Sequence, residues 1–224
     1  AFGGRNLGEA ADVFEAMVRD RDCFRVLTIS GAMTIAKQGL VVCEMIDRGW
    51  VQAIVATGAL MTHGFVEAAG MTHYKHRPSM NDEELFAKGY NRVYDTLELE
   101  QNLDDTEKIV SAVLDGLPEG TVLASHVITE ALGHYLAAHA DGRAILKSAV
   151  ARGVPVYIPA FTDSELGLDV AVYNRRREMA GKVRRAFDPF LDLEHYTDHI
   201  RAHETTGIFT IGGGVPRNWA QQVG

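Results

Sequence analysis

The sequence has little cysteine, few basic residues relative to acidic ones, and no long apolar run. It contains only two cysteines, Cys23 and Cys43, in 224 residues, so no disulfide framework is needed and a reducing, cytoplasmic location is expected. No apolar stretch approaches the roughly 20 residues that span a bilayer, and no signal peptide is recognisable. Lys and Arg number 22 against 30 Asp and Glu, a net charge of -8. Proteins that bind nucleic acid usually have a basic face, so neither a membrane nor a nucleic acid is an expected partner.

The pattern of apolar residues predicts a single α/β domain over residues 1–224. Residues 24–30 and 51–56 are apolar, β-branched runs typical of strands, and the apolar spacing over residues 34–47 predicts a helix between them. A strand–helix–strand unit of this kind favours a parallel sheet. The remaining expectations are helices over 104–114, 130–140, 143–152 and 190–204, a helix or loop over 170–187, and strands over 156–160 and 207–211. Residues 59–103 are expected to be less regular, with a loop over 73–80 and a capped helix start with acidic residues at 81–84. We therefore expect a Rossmann-like, doubly wound, mostly parallel sheet with helices on both faces.

Four predicted strands end in small or polar residues, and these ends are the candidate ligand site. They are Ser30-Gly31, Thr57-Gly58, Thr162-Asp163 and Gly212-Gly213-Gly214. In doubly wound sheets, ligands bind at the carboxyl ends of the strands. The triple glycine allows a sharp turn, and Pro216 suits the first turn of a helix, so this segment would present free N–H groups to a phosphate.

Alternatively, these strand ends are ordinary turns without a role in ligand binding. Asp163 has two interpretations, a helix N-cap or a ligand of a ribose hydroxyl. The G-x-G-x-x-G fingerprint is absent, which disfavours a plain NAD(P) dehydrogenase.

The histidines and the remaining polar residues give weaker signals. His73 and His76 are spaced H-x-x-H, but two histidines alone rarely make a metal site, so they are interpreted as part of a surface loop and no metal is expected. Glu165 and Asp169 are either solvated acids or counter-charges for a buried amine, because an isolated buried charge is very costly. Trp219 is either a core aromatic or a ligand contact.

Six segments, in order along the chain, resemble the deoxyhypusine synthase family. The segments are FGGRNLG (2–8), TISG (28–31), ATGA (56–59), GYNRVYD (89–95), VYIPAFTD with the following Leu-Gly pair (156–167) and GGGV (212–215). The resemblance implies a Rossmann-like homotetramer that oxidises a polyamine such as spermidine with NAD. It then transfers the aminobutyl group through an enzyme lysine to an acceptor amine.

The resemblance also implies roles for individual residues. NAD would be bound at the strand ends, by Ser30, Gly31, Thr57, Gly58, Asp163, Gly212, Gly213 and Gly214. The polyamine would be bound by Glu165, Asp169, Asn218, Trp219 and Gln222. The triple glycine strengthens the interpretation of Ser30-Gly31 and Thr57-Gly58 as cofactor-binding, because one dinucleotide needs several strand ends at once.

The sequence departs from the family pattern in three places. The family's lysine follows the triple-glycine loop in a segment beyond Gly224, so the sequence is expected to be incomplete at its C-terminus and no catalytic residue is assigned. Leu168 stands where the family has a polyamine-binding carboxylate, and Asp169 comes one residue later. Asn218 and Gln222 replace a histidine and an asparagine.

These departures leave the acceptor open between a protein lysine and a small amine. The alternatives are a homospermidine synthase-like enzyme that uses putrescine and a catalytically inactive NAD-binding member of the family.

Overall fold

The computed structural model describes residues 3–223, which form ten helices and seven strands. In chain order these are α1 (Gly3–Arg19), β1 (Cys23–Ile29), α2 (Gly39–Asp47), β2 (Ala53–Ala56), α3 (Gly58–Ala68), β3 (Tyr74–Lys75), α4 (Asp82–Ala87), β4 (Tyr90–Val93), β5 (Thr96–Leu99), α5 (Glu100–Gly116), α6 (Ser125–His139), α7 (Ile145–Arg152), β6 (Val156–Tyr157), α8 (Glu165–Met179), α9 (Phe190–Arg201), β7 (Thr205–Ile211) and α10 (Val215–Gln222). None of these helices is long and apolar enough to cross a membrane.

A four-stranded parallel sheet forms the centre of the fold. Its strand order is β6-β2-β1-β7, and each neighbouring pair is parallel. Sequence-adjacent strands β1 and β2 pair directly across helix α2, as the predicted strand–helix–strand unit requires. The α/β class and the parallel sheet are therefore confirmed.

Helices cover both faces of this sheet because its strands are apolar on both sides. Leu27 and Ile54 belong to the larger core, which also includes residues of α2, α3, α6 and α7. Val26 and Val55 point to the opposite face, where they join a smaller core that includes Tyr196 of α9 and Ala220 of α10. Successive side chains of a strand point to opposite faces, so a continuous apolar run such as β2 requires cover on each side. This two-sided burial agrees with the predicted doubly wound architecture.

Residues 74–99 form a small antiparallel sheet that the sequence did not indicate. Its order is β3-β5-β4, and both pairings are antiparallel. The expectation of less regular structure over 59–103 is wrong for α3 and the three strands, whereas the helix start expected at 81–84 is confirmed by α4, which Asn81 caps. The strands are only two to four residues long, too short to show a clear alternation of polar and apolar residues. We call this segment, with α4, the insertion sheet.

One predicted helix start is wrong, and one helix was missed. The helix expected from residue 34 begins at Gly39, because Lys37 adopts a left-handed backbone with φ of 61° that a right-handed helix cannot contain. Helix α1, Gly3–Arg19, was not predicted at all, and Gly3 and Gly4, poor helix formers, obscure its start. Phe2, within the first segment of the family resemblance, lies outside the described residues.

Candidate functional site

The carboxyl ends of β1 and β7 are joined by a side-chain hydrogen bond. The backbone N–H of Gly213 donates to Ser30 Oγ at 3.0 Å. Gly212 has φ of 89°, and a Cβ at this position would lie 2.0 Å from Ser30 Oγ. Only glycine therefore allows the loop after β7 to pass this close to the end of β1.

The ends of β1 and β2 are joined in a similar way. Thr57 Oγ1 donates to the carbonyl oxygen of Gly31 at 2.8 Å and accepts from the N–H of Leu60 at 3.2 Å. The second bond makes Thr57 the N-cap of α3. One threonine thus begins the helix and fixes the position of the neighbouring strand end.

The end of β2 also contacts the segment that follows β6. A Cβ at Gly58 would lie 2.0 Å from Ser164 Cβ, so α3 and the start of α8 approach closely there. Ser164 is the N-cap of α8, and its Oγ accepts from the N–H of Gly167. The alternative that Asp163 is the N-cap is therefore wrong. Asp163 is exposed beside this cap, and a role on a ribose stays a prediction.

Together these contacts connect all four strand ends into one continuous edge, which we call the strand-end shelf. Helices α3, α8 and α10 begin along it, and the first N–H groups of a helix have no partner within the helix. A Cβ at Gly31, Gly213 or Gly214 would meet nothing within 4 Å, so open space borders the shelf. Helix α10 begins after Gly214 without a side-chain cap. Its first N–H groups, beside this open space, suit a dinucleotide pyrophosphate, so the shelf fits NAD.

The predicted amine-binding acids differ in their exposure. Glu165 is exposed at the start of α8, whereas Asp169 is 6% exposed. Its Oδ2 has no hydrogen-bond partner among residues 3–223. Burial, with smaller contributions from the nearby Glu107 and Glu165, raises the pKa of Asp169 to about 7. An ionised carboxylate is unfavourable when it is buried without a cation. A positive group beside Asp169 would therefore stabilise its charged form.

The predicted amine-binding residues of α10 lie in two environments. Asn218 and Gln222 are exposed. Trp219 packs on the smaller core, with its ring 4.9 Å from Tyr196 and 5.4 Å from Tyr157 between centroids. Its packing role is therefore visible in the structure, while contact of these three residues with a ligand stays a prediction.

The interpretation of His73 as a surface residue is wrong. Its side chain is 1% exposed, and its Nε2 lies 3.3 Å from Glu98 Oε1. Its neighbour in space is His63 of α3 rather than His76, the other histidine of the H-x-x-H pair. Sequence spacing could not reveal this cluster, because its members come from α3, the following loop and β5.

The fold and the strand-end shelf define an α/β protein whose candidate ligand site is the carboxyl edge of a parallel sheet. A family model described as deoxyhypusine synthase matches residues 1–224. The chain therefore belongs to the deoxyhypusine synthase family.

Curated relatives agree with this assignment. The chain is 34% identical over 222 residues to "Probable deoxyhypusine synthase 1" of Methanosarcina mazei, covering 99% of this chain and 67% of that protein. It is 32% identical over 225 residues to "Deoxyhypusine synthase-like protein" of Chlorobaculum parvum, covering 100% of this chain and 63% of the relative. The chain thus spans about two thirds of the length of these relatives.

Solved structures show the same fold. A crystal structure from Entamoeba histolytica, described as a "putative deoxyhypusine synthase", has a TM-score of 0.69 at 15% identity, covering 94% of this chain and 71% of that one. The binary complex of the AgrE C264A mutant with L-arginine has a TM-score of 0.58 at 13% identity, covering 100% of this chain and 27% of that one. At these identities the likeness concerns the fold alone.

Proposed function

We propose that the intact protein is an NAD-dependent transferase that moves the aminobutyl group of a polyamine such as spermidine to an acceptor amine. The observation that carries this proposal is the continuous strand-end shelf in a chain of the deoxyhypusine synthase family. Bound NAD would supply the hydride acceptor that makes a carbon–nitrogen bond of the polyamine labile. The protein contributes binding, orientation and electrostatics.

The shelf residues would hold NAD mainly through backbone groups. Ser30 fixes Gly213 through its N–H, and Thr57 fixes Gly31 through its carbonyl oxygen, so the glycine backbone is ordered before a ligand arrives. Preorganised donors lose little entropy on binding. Asp163, exposed beside the start of α8, would accept a hydrogen bond from a ribose hydroxyl.

Asp169 would be the principal acid for the polyamine. A protonated amine nearby would favour the ionised carboxylate and lower its pKa from about 7 towards the usual range. Binding would then release a proton from Asp169 at pH 6 to 7. Glu165, Asn218, Trp219 and Gln222 complete the proposed amine-binding set.

We propose that the intact protein is a homotetramer, as the family resemblance implies. We propose a protein lysine or a small amine as the acceptor, and a cytoplasmic location, with which the buried free thiols of Cys23 and Cys43 are compatible. Homospermidine synthesis from putrescine is a distinguishable outcome of the assay below.

The test is incubation of the intact protein with NAD and spermidine labelled in its propyl and butyl parts. We expect labelled diaminopropane to be released only when NAD is present, and butyl label to appear on an added acceptor. Separate reactions contain putrescine or a lysine-containing translation factor, which distinguishes the two acceptor classes. NAD binding without diaminopropane release in any reaction would support the catalytically inactive alternative. Absence of NAD binding would refute the proposal altogether.

A further inference from the structure

Three side chains from separate parts of the chain meet beneath the insertion sheet. His63 lies on α3, His73 on the loop before β3, and Glu98 on β5. His63 Nδ1 is 2.8 Å from Glu98 Oε2, and His73 Nε2 is 3.3 Å from Glu98 Oε1. Their candidate ligand atoms all lie within 4.8 Å of one another. In the part of the chain that the structure describes, this is the one group of three or more such side chains.

Burial makes this arrangement unusual. The side chains of His73 and Glu98 are 1% and 2% exposed, and that of His63 is 15% exposed. Within residues 3–223, no hydrogen bond satisfies His63 Nδ1, either nitrogen of His73, or Glu98 Oε1. Buried polar atoms are almost always hydrogen-bonded, and each unsatisfied one costs about 1–3 kcal/mol. One ligand atom from each of the three side chains lies within 4.8 Å of the other two, an arrangement that a metal ion between them would satisfy.

We propose that His63, His73 and Glu98 bind a divalent transition-metal ion, for which Zn²⁺ is the best match. Two imidazoles and one carboxylate form a common zinc ligand set, with a fourth position left for water or another group. Tetrahedral zinc with bonds of about 2.0–2.1 Å places neighbouring ligand atoms about 3.3 Å apart. The observed separations require only small side-chain shifts to reach that geometry. Magnesium and calcium are disfavoured because they prefer oxygen ligands.

The ion would fasten the insertion sheet to the central domain. His63 belongs to α3, which begins on the strand-end shelf at Thr57, whereas Glu98 belongs to the insertion sheet. The edge strand β3 offers little apolar attachment, since its residues Tyr74 and Lys75 are both exposed. A metal that joins these elements would supply the attachment that apolar burial does not. This inference is independent of the proposed transferase activity.

The first experiment uses the intact wild-type protein. Metal analysis after dialysis is expected to give about one zinc per chain, and chelation is expected to lower Tm by about 5–10 °C, reversibly on adding Zn²⁺. Co²⁺ added to the chelated protein should give the visible bands of a tetrahedral site. X-ray absorption of the zinc form should show imidazole nitrogens and a carboxylate oxygen at about 2.0–2.1 Å.

The second experiment compares matched variants. His63→Gln and Glu98→Gln should each weaken Zn²⁺ binding at least 100-fold. His134→Gln and Glu100→Gln remove exposed side chains of the same types and should bind Zn²⁺ as the wild type does. If Glu98→Gln does not fold, His63→Gln decides, because His63 is the most exposed of the three ligands.

The proposal is overturned if the wild type takes up no stoichiometric Zn²⁺ and shows no Co²⁺ bands. It is equally overturned if both site variants bind Zn²⁺ as tightly as the two controls. In either case the three side chains form only a buried ionic cluster.

Discussion

Two buried carboxylates, one in each of two regions of the molecule, have surroundings with opposite effects on their pKa. Asp169, in the helices that cover the parallel sheet, has a pKa raised to about 7, chiefly by burial. Glu98, in the insertion sheet, is buried as well, but the neighbouring His63 and His73 outweigh burial and lower its pKa to about 2. Burial disfavours the charged form, whereas a potentially cationic neighbour favours it. The comparison shows that the partner, rather than the depth, decides the charge state of a buried acid here.

The candidate sites in the two regions also differ in whether backbone or side-chain groups form them. The strand-end shelf is a backbone structure, in which Ser30 holds the N–H of Gly213 and Thr57 holds the carbonyl oxygen of Gly31. The cluster in the insertion sheet consists of side chains from three separate elements. A backbone site should be sensitive to added Cβ atoms, and a side-chain site to changes of functional group. The following predictions test that distinction, in order of decreasing effect.

Glu98→Gln is expected to destabilise the protein by about 4 kcal/mol at pH 7, because removing one partner of a buried charged cluster leaves the other unpaired. The exposed Glu100 is the matched control, and Glu100→Gln should change stability by no more than about 0.5 kcal/mol. Urea denaturation of both variants measures the difference. Equal stability of the two variants would mean that Glu98 is not an essential partner of the histidines.

Asp169→Asn is expected to change stability in the opposite direction to Glu98→Gln, because it should stabilise the protein at alkaline pH. The folded pKa of Asp169, about 7, lies above its usual 3.8, so the wild type keeps its full stability below pH 3.8 and loses part of it as the pH rises to 7. Asparagine does not ionise. Its advantage over aspartate should therefore grow by about 3 kcal/mol between pH 5 and pH 8.

Denaturation of the wild type and of Asp169→Asn across that pH range measures how this stability difference changes with pH. Asp104→Asn, which changes an exposed aspartate of α5, is the control and should show no comparable trend. An advantage that is constant with pH would contradict the assigned burial effect. Spermidine should abolish the trend in the wild type if Asp169 binds the amine.

The sequence was sufficient for the central sheet but not for the insertion sheet, and the reason is physical. Strands such as β2 are buried on both faces, and long apolar runs that end in Thr-Gly or triple glycine are visible in the sequence. The family resemblance then supplied candidate roles for the strand ends. By contrast, β3 has only two residues, both exposed. The contact between His73 and Glu98 depends on tertiary packing across 25 residues of sequence, which no local pattern encodes.

Gly212→Ala tests the backbone nature of the shelf. A left-handed alanine costs about 1–2 kcal/mol, and its Cβ would also displace Ser30 Oγ from Gly213. We expect a total loss of about 2 kcal/mol and NAD binding weakened more than tenfold. Gly120 has nearly the same φ, 87°, with nothing within 4 Å of an added Cβ. Gly120→Ala should therefore lose about 1 kcal/mol and leave NAD affinity unchanged, as calorimetric titration would show.

The smallest effects are expected from a pair of helix caps, one in each region. Thr57 caps α3 on the shelf, and Asn81 caps α4 beside the insertion sheet. Thr57→Ala and Asn81→Ala should each cost about 1 kcal/mol of stability, because both remove a side-chain acceptor from unpaired helical N–H groups. Only Thr57 also holds the carbonyl of Gly31, so only Thr57→Ala should weaken NAD binding, by about three- to tenfold. Thermal melts and NAD titrations of both variants separate the general loss of a cap from the specific loss at the shelf. Equal NAD affinities would mean that the order of the β1 and β2 ends does not contribute to binding.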